Sequence, residues 1–192
     1  MSNFHTEIQE IIEQKNIRKL VHFTKISNLK SIIEYGILSR KDIEKKNIKF
    51  DYNDDKRLDT WINASCVSIT KKNSRIFSKF LEKTNTNEND WIDIFISPNI
   101  LTEKECIFCF TNAANHQFDN FRENKLPLKS PEAFRMMFNK KIKRKDGHII
   151  SRDIHKDNET TCIQAEICVF GIIEKKYFLN LNDIMDILKK NG

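Results

Sequence analysis

The run Cys162-Ile163-Gln164-Ala165-Glu166-Ile167-Cys168-Val169-Phe170 constrains the fold of this chain more than any other segment. It reads as a buried strand with a carboxylate near its middle. With a side-chain period of two, Ile163, Ala165, Ile167 and Val169 occupy one face, while Gln164 and Glu166 share the other, about 7 Å apart. An unpaired buried carboxylate would neutralise itself or unfold its surroundings, so Glu166 must either meet a partner or face a cleft.

At 192 residues the chain can bury one sizeable core, and a single domain over 1–192 is expected. Lys and Arg outnumber Asp and Glu by 33 to 27, a net +6 that favours an anionic partner, nucleic acid first. Only 4 glycines and 3 prolines are present, and neither G-x-G-x-x-G nor G-x-x-x-x-G-K occurs, which argues against Rossmann and P-loop nucleotide sites. The N-terminus lacks the basic and apolar regions of a signal peptide, and no apolar run approaches the roughly 20 residues that span a bilayer. A soluble, cytoplasmic protein with no membrane partner is the expectation. Five cysteines, an odd number, fit a reducing compartment. Cys106-Ile107-Phe108-Cys109 has C-x-x-C spacing, but Cys162 and Cys168 are too far apart for a zinc knuckle and no His flanks either pair. These thiols are expected to be small buried hydrophobes, with no metal site.

Along the chain, Phe4, Ile8, Ile11 and Ile12 mark an amphipathic helix within 1–16. Leu20-Val21-His22-Phe23 reads as a short strand, followed by a helix capped by Thr24 or Ser27 and ended by Gly36. A charged loop over 41–59 precedes a strand at 64–70, a helix at 74–83 and a strand at 91–96 that turns at Ser97-Pro98-Asn99. Another strand follows at 106–110. Ser130-Pro131-Glu132 starts a helix with Ser as N-cap and Pro at the first helical position. The stretch 139–161 has no clear period, and loops of that length in compact domains tend to be functional. A last strand is expected at 177–181 and a terminal helix at 182–192, capped by Asn182 or Asp183. No repeat is visible, and the class is α+β, a single domain of short mixed strands flanked by helices.

Glu166 is the residue that asks for chemistry. A carboxylate beside a ribose stabilises an oxocarbenium-like centre, and an arginine such as Arg57 suits phosphate. His22, in an apolar strand before a polar turn, is ambiguous alone, as is one arginine on a charged loop. Together the three ask for a substrate with phosphates to hold and positive charge that develops during reaction.

The ordered series His22-Phe23-Thr24, Asn28-Leu29-x-Ser31-Ile32, Gly36-Ile37-Leu38-Ser39-Arg40, Arg57-Leu58-Asp59, Phe110-Thr111-Asn112-Ala113-Ala114 and Gln164-Ala165-Glu166 resembles the DarT family of nucleic-acid ADP-ribosyltransferases. These are the toxins of DarT–DarG toxin–antitoxin pairs. The likeness runs from about Leu20 to Leu181 and looks closest to the branch that modifies guanine in DNA. It implies an ADP-ribosyltransferase-like split sheet and transfer of ADP-ribose from NAD⁺, the co-substrate, to a base of single-stranded DNA. RNA is also possible.

By that resemblance Glu166 is the catalytic glutamate and Arg57 the catalytic arginine, which also binds NAD⁺. His22, Thr24, Leu38, Ser39 and Arg40 border the NAD⁺ pocket. Gln164 helps choose the acceptor base, since an amide offers both a donor and an acceptor. The loop 139–161 recognises substrate, with Lys143 and Arg144 on phosphates and Arg152 or His155 reaching the base. A macrodomain antitoxin of the DarG type is the implied partner. Lys71-Lys72-Asn73 departs from the proline-containing turn expected beside the nicotinamide. Three alternatives stay open: an acceptor in messenger RNA, an acceptor on protein, or a basic single-strand-binding module with no catalysis.

Overall fold

The computed structural model describes residues 2–52, 57–115, 126–143 and 147–191. Arg144 and Lys145, residues 53–56 of the charged loop, and Phe118 lie outside the described residues.

Helix α1 (Ser2–Gln14) buries Ile8, Ile11 and Ile12, the i, i+3, i+4 stripe that its sequence spells. It lies on helix α6 (Pro131–Met136), and Arg135 ties the two through Glu7 at 2.9 Å. Strand β1 (Leu20–Lys25) pairs along its whole length with β3 (Trp91–Ile96). With β2 (Ala64–Ile69) it pairs only at Leu20–Ile69 and Val21–Ser68. β2 continues alongside β7 (Glu166–Phe170), which pairs in turn with β4 (Cys106–Cys109). The sheet order is β3-β1-β2-β7-β4, and every pair is antiparallel where mixed pairing is expected from sequence.

Each face of the sheet has its own core. Val67, Ile69, Cys106, Phe108, Ile167 and Val169 point into the large cluster beneath α1 and α6. Ala64, Ile107, Cys109 and Cys168 join Trp61, Ala113 and Leu128 in a smaller one. Glu166 has the parity of Cys168, so it belongs to the second face.

Helix α2 (Leu29–Tyr35) ends at Gly36, as its sequence predicts. Gly36 has φ +82°, and a Cβ there would meet the Ile173 carbonyl oxygen at 2.6 Å. Helix α3 (Arg40–Lys45) falls inside the expected charged loop; Ser39 caps it. Helix α4 (Ser74–Thr84) is capped by Asn73, and α5 (Ile100–Glu103) follows β3. Ser130 caps α6 with Pro131 at its first position, as expected. No helix among the described residues is long and apolar enough to cross a membrane.

Three expectations are corrected. β7 begins at Glu166, not at Cys162: Cys109–Glu166 is the last pair with β4 and Val67–Ile167 the last with β2, and before Glu166 the chain turns, with the Ala165 amide donating to the Cys162 carbonyl at 2.9 Å. Ile163 is accordingly half-exposed and shares no face with Ile167. No strand forms at 177–181. A 3₁₀ turn (Lys175–Tyr177) and a single Ile96–Phe178 bridge stand there, because Asn180 satisfies the β3 edge itself, accepting from the Phe95 amide at 2.9 Å and donating to the Asp93 carbonyl at 3.0 Å. The terminal helix α7 (Leu181–Asn191) starts directly after it. Thr24 lies within β1 and caps nothing. The stretch 139–161 also holds a small hairpin, β5 (Lys141–Lys143) with β6 (Ile149–Ser151).

Gly36→Ala is expected to lower unfolding stability by about 1–3 kcal/mol, combining left-handed strain with the carbonyl clash. A shifted denaturant midpoint at unchanged slope would show it; an unchanged midpoint would refute the packing argument.

Candidate active site

Because β1 and β2 stop pairing after two residues, a cavity of about 450 Å³ opens between them. His22 and Thr24 line it from β1, Ser65 to Ser68 from β2, and Gln164 and Glu166 from the approach to β7.

Glu166 is only 8% exposed, and both its oxygens are anchored. Asn112 Nδ2 donates to Oε1 at 3.1 Å and the Ala113 amide to Oε2 at 3.0 Å. Burial pushes its carboxyl up to about 7, Asp59 adds in the same direction, and the Ala113 amide, Arg57 and Asn112 oppose. A carboxyl that titrates near neutrality beside a cavity is suited to respond to arriving charge.

Arg57 faces the same cavity and holds its own loop together. Nε and Nη2 fork onto Asp59 at 2.9 and 2.6 Å, Nη1 donates to the Ala64 carbonyl at 3.0 Å, and Nη2 donates to the Trp61 carbonyl at 3.0 Å. The loop turns through Thr60 at φ +64°, a left-handed position unusual for a β-branched residue. Burial works against the guanidinium charge, yet the hydrogen bond and charge of Asp59 outweigh it and hold Arg57 protonated.

His22 Nδ1 lies 3.0 Å from the Cys66 carbonyl, which can only accept, so Nδ1 carries the proton and Nε2 is left as an acceptor. Burial lowers its pKa, with Arg57 acting in the same direction and the Cys66 hydrogen bond and Asp93 opposing, which favours the neutral ring. The buried Thr24 hydroxyl accepts from Asn28 Nδ2 at 3.2 Å. Asn28 also clamps Asp51, accepting from its amide at 2.8 Å and donating to its carbonyl at 3.0 Å. That clamp fastens Phe50 and Tyr52 along the cavity, with the Arg40 guanidinium 4.2 Å from the Tyr52 ring centre.

The remaining sequence candidates divide. Leu38 and Arg40 line the cavity, whereas Ser39 is buried and committed to α3, accepting from the Asp42 amide at 3.2 Å and donating to its carboxylate at 2.6 Å. Gln164 reaches the wall from the turn before β7. Arg152, expected to reach a base, donates to the carbonyls of Lys156 and Asp157, each at 2.8 Å, and to that of Glu159. Its guanidinium braces its own loop. His155 is half-buried and Lys143 exposed on β5, and neither lines the cavity.

Asp59, Asn112 and Ala113 carry site geometry that the sequence reading assigns to no one. Arg57-Leu58-Asp59 and Phe110-Thr111-Asn112-Ala113-Ala114 stand out there as motifs, but nothing local shows that they converge. Asn73 was visible only as a departure; it lines the cavity while its Oδ1 caps α4.

Glu166 carries a stability consequence. Its folded carboxyl keeps a proton up to about 7, against 4.5 ordinarily, so the folded state binds more protons and stability falls as pH rises through that window. Glu166→Gln is expected to stabilise the ligand-free protein by about 1–3 kcal/mol at pH ~8 and to change little at pH ~4. Denaturant unfolding at both pH values checks this; equal effects at the two would contradict it.

No curated protein matches the chain. Among solved structures it is similar in fold to one from Thermosipho africanus, "DarTG in complex with ADP-ribose", with a TM-score of 0.52 and 18% identity. The similarity covers 91% of this chain and 47% of that one, so the chain spans about half the length of that protein. The family model described as "ssDNA thymidine ADP-ribosyltransferase, DarT" matches residues 21–182, which take in the split between β1 and β2, Arg57 with its loop, and Glu166 at the head of β7. The chain belongs to the DarT family.

Proposed function

We propose that this chain transfers ADP-ribose from NAD⁺ to a base of single-stranded DNA and releases nicotinamide. The observation that carries this reading is the shared cavity, in which a doubly anchored, near-neutral Glu166 faces the same space as Arg57, His22 and Thr24.

In that reading the bond between nicotinamide and ribose breaks as positive charge develops on the sugar. Glu166 takes the role of stabilising that charge and hydrogen-bonding the ribose, a role supported by its place on the cavity wall. The cationic nicotinamide ring, arriving next to a carboxyl poised near neutrality, draws it into the ionised form that this role needs. Arg57 stays charged throughout, so its work is electrostatic, toward the diphosphate or the base, and it takes no proton. His22, Thr24, Leu38 and Arg40 border the NAD⁺.

The acceptor base must leave its stack to reach the sugar carbon, which favours single-stranded substrate. Gln164 lines the same cavity as Glu166, which supports assigning its amide to a base edge. The exposed Lys140, Lys141 and Lys143 and the outward Ile149 and Ile154 offer charge for phosphates and apolar surface for bases. Guanine is the acceptor favoured by the motif series, whereas the family description names thymidine. A DarG-type macrodomain antitoxin is the proposed partner, supported by the motif series and by the DarTG name of the structural neighbour.

Labelled NAD⁺ incubated with single-stranded DNA is expected to give protease-resistant label on the DNA. Glu166→Ala should reduce it by at least about 10³-fold and Arg57→Lys by about 10²-fold. Mass measurement of the digested nucleosides identifies the base. Label that appears only on RNA or on protein, or that is indifferent to Glu166→Ala, would overturn the proposal.

The pH dependence follows from Glu166. As the ionised form is the active one, kcat/KM should fall below pH 7 or so with unit slope. Asn112→Ala removes a hydrogen bond that favours ionisation and should move that limb to higher pH. A limb that stays in place in this variant would deny Asn112 its positioning role.

A further inference from the structure

Three side chains under the cavity have a ligand geometry that the transfer reaction does not use. Cys66 on β2 and Cys168 on β7 are directly paired residues, and their sulfurs stand 3.7 Å apart. Asp59 Oδ2 lies 3.9 Å from Cys66 Sγ, and the donor atoms of Asp59, Cys66 and Cys168 all fall within 4.8 Å of one another. Asp59 and Cys168 are nearly or wholly buried, whereas Cys66 and Asp59 line the cavity and give access to it.

The sulfur spacing separates the chemistries open to such a pair. Two thiolates bound to one tetrahedral cation through bonds of about 2.3 Å sit about 3.8 Å apart. A disulfide requires about 2.05 Å, and the two sulfurs would have to close by roughly 1.7 Å between strands whose register is fixed. The 3.7 Å spacing is that of the S–H···S hydrogen bond between the two thiols, and it already matches the span of two thiolates on one shared cation, so binding needs no movement of the strands. Two sulfurs and one carboxylate exclude magnesium and calcium, which prefer all-oxygen shells, and select zinc-like ions.

We propose that Cys66, Cys168 and Asp59 form a binding site for a thiophilic divalent cation of the zinc and cadmium class, entered from the cavity. Binding exchanges two S–H bonds for two metal–sulfur bonds and releases two protons to solvent. Without the cation both thiols are held protonated, Cys66 chiefly by its hydrogen bond to Cys168, and Cys168 chiefly by Cys109, with burial adding to both. Asp59 Oδ2 is also the oxygen that Arg57 Nη2 holds at 2.6 Å, so a bound cation competes for half of the Arg57 fork. Only this last consequence rests on the transferase reading; the site itself does not.

The test uses the reduced, metal-free protein and Cd²⁺, followed by calorimetry and by ultraviolet sulfur-to-cadmium absorption. One Cd²⁺ per chain with two protons released is expected. Cys66→Ser and Cys168→Ser should each weaken binding at least about tenfold, while Cys106→Ser, on the opposite face of the sheet, retains it. Should either variant fail to fold, native alkylation of the wild type read by mass spectrometry decides, with Cd²⁺ expected to protect Cys66 and a chelator to reverse the protection. Absence of stoichiometric binding, unchanged binding in Cys66→Ser, or equal alkylation of Cys66 with and without Cd²⁺ would overturn the proposal. DNA labelling enters none of these readouts, so a failed transferase reading and a failed metal site remain distinguishable.

Discussion

The two-residue contact between β1 and β2 is the constraint on which the site depends. Leu20 and Val21 join the strands at one end, after which the backbones pair elsewhere or not at all. Full pairing would close the space that His22, Thr24 and Cys66 now border. What keeps the strands related across the gap is a side chain, since His22 reaches from β1 to the Cys66 carbonyl and satisfies a backbone acceptor that a neighbouring strand would otherwise meet. Binding space and strand alignment are thus two results of one local loss of ladder.

Within that space the charges form a coupled set. Arg57 is one cation against two buried acids, Asp59 and Glu166, and its geometry settles which of them it serves. Asp59 receives the bidentate fork, whereas Glu166 receives neutral donors from Asn112 and the Ala113 amide. A buried ion pair with a full set of hydrogen bonds recovers much of its desolvation cost. The second carboxylate, hydrogen-bonded only by neutral donors, helped by the Arg57 charge at a distance and opposed by that of Asp59, is the group whose ionisation is left nearly balanced. Removing Asp59 would therefore change two residues at once, freeing the Arg57 fork and relieving Glu166 of a like charge.

Much of the fold was legible because its signals are local. The α1 stripe, the Gly36 stop, the Ser130-Pro131 start and the alternation in β3 each follow from spacing within a dozen residues. The failures share a cause: they depend on partners distant in sequence. β7 is shorter than its apolar run because β4 ends at Cys109, opposite Glu166, and the chain before Glu166 turns through the Ala165–Cys162 hydrogen bond instead of pairing. The expected strand at 177–181 is replaced because one amide, Asn180, satisfies the β3 edge. Among site residues, Glu166 announced itself by breaking an apolar pattern, and the family series brought His22, Thr24 and Arg57 to it. Asn112 could not be placed, since it meets Glu166 across 54 positions of chain. Arg152, expected from the family series to reach the base, donates to three carbonyls of its own loop, partners that no local spacing spells out.

The alternation along β7 sends Ile167 and Val169 into the large core, and Glu166 and Cys168 toward the cavity and the smaller cluster. A slip of one residue against β2 and β4 would exchange those sets, driving a carboxylate into hydrocarbon and turning two branched side chains toward an opening. Such a misregistered chain would forfeit several kcal/mol at Glu166 alone. The residue proposed to carry the chemistry therefore also acts as a register mark for assembly, and a chain that buries it wrongly is eliminated by its own instability before any reaction is at stake.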